Sequence, residues 1–96
     1  MARAFLAART PSPPPPLAAW LEAVPLGSGP VVDELLQAGL SELDRARSTS
    51  GRVRTSAFHL LAADALLTYA CEAALEAHDP GGALSEILRQ AAAPRP

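Results

Sequence analysis

Residues 57–78 read AFHLLAADALLTYACEAALEAH, twenty-two positions without a glycine or a proline. Alanine and leucine dominate the run, and both are strong helix formers. At 1.5 Å per residue it forms a helix of about 33 Å. Ala62, Ala63, Ala70, Ala73, Ala74 and Ala77 make a broad small-residue face, and Leu60, Leu67, Cys71 and Leu75 make a second apolar face. Only Asp64, Thr68, Glu72 and Glu76, spaced four apart, supply a polar stripe. A helix apolar on most sides belongs in the middle of a bundle. This stretch sets the class as all-α.

Working outward, proline partitions the chain. None occurs from Val31 to Asp79, whereas six of the ten lie between Pro11 and Pro25. The run Pro13–Pro16 favours extended polyproline II, so residues 1–16 read as a flexible, proline-stiffened N-terminal arm. Leu17–Val24 reads as a short helix started by Pro16 and stopped before Pro25, with Trp20 anchoring it to the body or offered to a partner. Gly27-Ser28-Gly29-Pro30 is a turn in which Ser28 is placed to cap the next helix. From Val31 to Arg47, Val32, Leu35, Leu36, Gly39, Leu43 and Ala46 share one face. Glycine costs about 1 kcal/mol against alanine inside a helix, so Gly39 predicts close approach by a neighbour.

Ser48–Gly51 ends that helix, and Thr55 or Ser56 is read as the cap of the central one. Asp79 and Pro80 open a last helix over Gly82–Ala93, in which Leu84, Ile87, Leu88 and Ala91 recur at helical spacing. The architecture expected is a small three- to four-helix bundle over residues 17–93, with the arm before it and a short tail at 94–96.

Composition excludes several function classes. The 96 residues contain 21 alanines and 15 leucines but only 4% aromatics, which suits packed helices rather than sheets. Cys71 is the only cysteine, so no intramolecular disulfide or cysteine-rich zinc site forms, and a reducing, cytoplasmic setting is expected. A net charge of −2 argues against nucleic acid as a partner. The most apolar stretch, 57–75, carries His59, Asp64 and Glu72, each costly in lipid, so no membrane association is expected.

The ionisable residues show no catalytic set, no cofactor site and no metal site. His59 and Asp64 are five apart and diverge around the helix. Cys71 and His78 share a face but sit about 10 Å apart along the axis, beyond thiolate–imidazole reach. Cys71 reads as a small buried hydrophobe, His59 as a packing histidine and His78 as a partner of the last helix carbonyls. Glu72 and Glu76 read as part of a solvated stripe. The one local charge bias is Arg45, Arg47, Arg52 and Arg54, leading into a helix start. Arg52, Arg54, Thr55 and Ser56 are therefore the candidate anion or phosphate site.

Leu61–Glu72, LAADALLTYACE, resembles the helix that follows the first aspartate-rich motif of polyprenyl diphosphate synthases. The likeness spans one eighth of the chain. The magnesium-binding aspartate clusters of those enzymes have no counterpart here, so their activity is not implied.

The leading expectation is a non-enzymatic protein–protein interaction or homodimerisation module built on the 57–78 helix. Trp20, Ala63, Ala70, Ala74 and Ala77 are its candidate interface, because two helices and a short third offer too little surface to cover the central one. The alternatives are the anion-binding module, an accessory subunit whose arm or Trp20 helix engages a larger protein, and, last, a metal-dependent enzyme using Glu72, Glu76 and Asp64.

Overall fold

The computed structural model describes residues 1–49, 51 and 53–94. Five helices and no strand occur among them: α1 (Ala2–Ala7), α2 (Pro15–Ala23), α3 (Val31–Ser48), α4 (Val53–Ala74) and α5 (Pro80–Ala92). The all-α bundle expected from the sequence is the fold observed. It is flattened, with extents of 43 × 32 × 21 Å, and the antiparallel α3–α4 pair makes by far the largest interface. Leu35, Leu36 and Leu66 are the largest fully buried side chains, and Ala62, Ala70, Ala74 and Ile87 complete the core around them.

Gly39 shows why this pair comes so close. A Cβ there would lie 2.9 Å from both Cγ and Cδ2 of Leu67 and 3.3 Å from Cβ of Leu66. The absent side chain is the space those leucines occupy, as the sequence predicts. The connection between the two helices turns at Gly51, whose φ of +74° is in the left-handed region that glycine enters without steric cost.

Three helix ends differ from expectation. Ser28 does not cap α3, whose N-cap is Pro30 with no side-chain cap. Glu34, one turn in, reaches back instead and accepts from the Gly27 N–H. Its carboxylate fills the space that a Cβ on Gly27 or Gly29 would take. At the start of α4, Thr55 and Ser56 lie inside the first turns rather than at a cap, because the turn at Gly51 lets the helix begin at Val53. The far end stops at Ala74, four residues short of His78. There the N–H groups of Leu75, Glu76 and Ala77 each bond three residues back, tightening the chain before Asp79. Asp79 then caps α5 as expected, accepting from the Gly82 N–H at 3.2 Å, with Pro80 in the first turn.

The arm differs most. Pro15 and Pro16 lie in the first turn of α2, where their missing N–H groups cost nothing, so extended backbone is limited to the residues before them. Ahead of these, Ala2–Ala7 is helical. Six residues do not hold a helix alone in water. Docking holds this one: Ala2 is fully buried, and Phe5 and Leu6 pack on the core. Arg3 donates to the carbonyls of Leu21 (2.9 Å) and Val24 (2.5 Å) at the end of α2, the first of which also accepts the Val24 N–H at 3.2 Å. Arg9 lies over the Phe5 ring at 3.7 Å, donates to the Phe5 carbonyl at 3.0 Å and pairs with Glu72 on α4 at 3.1 Å. The contacts that tie the arm to the body join residues 18 to 63 apart in the chain, beyond the reach of local sequence pattern.

Gly39→Ala gains helix propensity but overpacks the contact, and overpacking of this kind costs about 1–3 kcal/mol. The expected net effect in thermal unfolding is a melting temperature lower by several degrees, and larger for Gly39→Val. A rise would show that α3 and α4 do not touch there. Deleting residues 1–9 removes the Ala2, Phe5 and Leu6 contacts and is expected to cost about 1–3 kcal/mol in urea unfolding. An unchanged midpoint would show that the arm is not docked.

Candidate functional site

Halfway along the chain's polar inventory is a pair that periodicity could not reveal. Glu42 on α3 is buried, its side chain only 3% exposed, and its Oε2 lies 2.5 Å from Nδ1 of His59 on α4. A carboxylate only accepts, so Nδ1 carries the hydrogen. The second oxygen, Oε1, is 3.5 Å from Nη1 of Arg45, one turn further along α3. Trp20 closes the site from α2. Its ring stacks on Phe58 at 5.3 Å and meets the His59 ring edge-on at 5.0 Å.

The local sequence explains the convergence. Phe58 and His59 are adjacent on α4, so they point about 100° apart and together present two rings toward α2. Trp20 reaches both. Glu42 belongs to the α3 stripe that faces α4, and its charge is tolerated there only because His59 and Arg45 satisfy it. No buried side-chain nitrogen or oxygen lacks a hydrogen-bond partner among the described residues. What this cluster does in the arrangement seen is positional: it pins the first half of α4 on α3 and under α2. The outer side of residues 53–61 is thereby presented outward as a rigid surface.

That outer surface is the second feature. Leu60 and Leu61 are 54% and 50% exposed, and Val53 is 83% exposed, though all three lie on the central helix of the bundle. Ala57 is exposed between them. Arg54 and Asp64 bracket the patch, both exposed and, among the described residues, without an ion pair or hydrogen bond from their side chains. The polar stripe continues with Thr68, Glu72 and Glu76, all exposed.

The expected sites are redistributed. Ala63, Ala70 and Ala74, named as interface, are buried inside this chain, because Gly39 and the alanines allow α3 to close over them. That face is not open to a partner. Ala77 lies beyond the end of α4 and is half-buried, and Trp20 is spent on Phe58 and His59. For the anion site, Arg52 lies outside the described residues. The Ser56 hydroxyl donates to the Ala46 carbonyl at 2.8 Å, so it is committed to α3 rather than offered to a ligand. Arg54 is exposed and Thr55 half-buried in the first turn of α4, and Arg45 is drawn to Glu42. Cys71 is half-buried against the core, and His78 is exposed in the turn after α4 with no carbonyl bound to it.

Clefts lie on two sides of the bundle. A groove of about 310 Å³ runs between the docked arm and the body, lined by Arg3, Leu6, Arg9, Leu21, Glu22 and Tyr69. Both of its arginines are already engaged, Arg3 by the end of α2 and Arg9 by Glu72. A smaller cleft of about 200 Å³ lies beside Val24, Glu34, Ala38 and Arg45. On α5, the Glu86 carboxyl is held down to about 2 by hydrogen bonds from Arg89 and then Gln90, all three on one helix. Among the described residues, no group of three or more His, Cys, Asp or Glu side chains is placed to hold a metal ion. No described helix is long and apolar enough to cross a membrane.

No known protein family, no curated protein and no solved structure matches this chain.

Removing one member of a buried pair leaves the other uncompensated, at a cost of roughly 3 kcal/mol. Glu42→Ala and His59→Ala are each expected to lose about that much in chemical denaturation. The double replacement Glu42→Ala with His59→Ala is expected to cost clearly less than the two single changes added together. Strict additivity would mean the two side chains do not interact.

Proposed function

We propose that this chain is a non-enzymatic protein–protein interaction module whose docking surface is the outer face of α4, with a homodimer as its simplest form. The observation that carries the reading is the half-exposure of Leu60 and Leu61, next to Val53, on the helix that the rest of the bundle surrounds. An apolar group on a central helix is normally covered, and leaving two adjacent leucines in water forgoes about 1.5–3 kcal/mol for each fully buried one.

The surface area points the same way. The chain exposes 5980 Å², against about 5,200 Å² for a compact monomer of its mass. The excess is about 800 Å². It is comparable with the roughly 800 Å² that one partner contributes to a standard interface. The patch is also rigid before any partner arrives, since the Glu42–His59 pair and the Trp20–Phe58 stack hold it from below. Preorganisation lowers the ordering cost of association. The alanine face does not serve this role, because it is consumed by α3. With a single thiol and no disulfide, a reducing, cytoplasmic setting suits the module.

Replacing Leu60 and Leu61 together by glutamate separates docking from folding. If the leucines serve docking, helicity and melting temperature stay within a few degrees of wild type, while binding of an apolar fluorescent probe to the native protein is lost. A drop of several kcal/mol in stability with probe binding retained would make them structural residues and overturn the reading.

A further inference from the structure

The outer face of α4 carries a charge pattern that selects its occupant. Arg54 and Asp64 lie five residues on either side of His59, and Ala57 and Leu61 lie two residues on either side. At 100° per residue these four fall within one arc of about 80°, on the side opposite the buried face of the helix. His59 itself turns inward to Glu42. Reading the surface along the helix gives a cation, a small residue, a large apolar residue and an anion.

We propose that the occupant is a second copy of this chain, with the two α4 helices packed antiparallel about a two-fold axis level with residue 59. This rests on the interaction reading above and names its partner. In that arrangement Leu61 of each copy lies against the small Ala57 of the other, and Arg54 of each copy faces Asp64 of the other. Two copies therefore bury Leu61 and form two identical ion pairs, from side chains that have no such partner among the described residues. A C2 interface requires this kind of self-complementarity. Parallel pairing sets Arg54 against Arg54 and Asp64 against Asp64, so the charges disfavour it. Ala57 lets the helix axes approach closely, as Gly39 does on the inner side.

Light scattering on a sizing column, run at rising concentration up to tens of micromolar, tests the partner. The expected mass is twice the 9.9 kDa of the chain. The register is tested by exchanging the charges. Arg54→Asp alone and Asp64→Arg alone each place two like-charge pairs across the axis, and each is expected to weaken dimerisation about tenfold at low salt. The double variant Arg54→Asp/Asp64→Arg restores both pairs and is expected to return within about threefold of wild type. Both residues are exposed and have no partner among the described residues, so circular dichroism of the variants stays that of the wild type.

A wild type that remains monomeric overturns the second copy as occupant. The probe-binding and stability result for Leu60 and Leu61 then decides separately whether the surface is a docking site. A dimer that is indifferent to the single charge changes, or that the double variant fails to rescue, overturns the antiparallel register while leaving the interaction reading in place.

Discussion

Everything in this bundle depends on the close approach of α3 and α4 at Gly39. With no side chain there, Leu66 and Leu67 seat directly on the α3 backbone, and the alanines at 62, 70 and 74 fill the remaining interface without holding the helices apart. A core made of alanine and leucine works only at short interhelical distance, because small side chains leave voids when the axes separate. The glycine, unfavourable for its own helix, is what makes the alanine-rich composition a packed core.

The same approach brings Glu42 and His59 together. Their pair is buried in the α3–α4 interface, and Trp20 and Phe58 shield it from α2. A buried polar pair is weak evidence of net stabilisation, because the desolvation of both groups offsets much of the attraction. Its effect is directional: only one rotation of α4 places His59 against Glu42. That rotation turns Ala62, Leu66 and Ala70 inward and leaves Leu61 and Asp64 outward. The inner pair and the outer patch are two consequences of a single helix orientation. The docked arm adds a second restraint further along, through Arg9 and Glu72.

Much of this was legible in the residues. The helical run, the α3 stripe, the Asp79–Pro80 start and the packing role of Gly39 follow from period, capping chemistry and propensity, all of which act within a few residues. The Ser28 cap was misplaced because Glu34 competes for the same turn from one helical turn ahead. The arm was misread because the proline run outweighs the short alanine-rich stretch in front of it. Arg3 and Arg9 find partners 18 to 63 residues away. In the candidate site, His59 as a packing histidine was readable, but Glu42 as its buried partner was not. A glutamate beside arginines looks solvated until the opposite helix is in place.

The amino-acid sequence by itself determined the class of fold, the approximate helix boundaries and the presence of more apolar surface on one helix than its neighbours could hide. Those properties arise from local propensity and from the amount of apolar area, and both are carried by residue identity. Only the tertiary structure decided which side of α4 was hidden. The alanine face was the natural candidate for an outside partner. It went to α3 instead, because Gly39 permits contact closer than any larger residue would allow. The leucine face between Arg54 and Asp64 was left outside, on the side of α4 away from that packing.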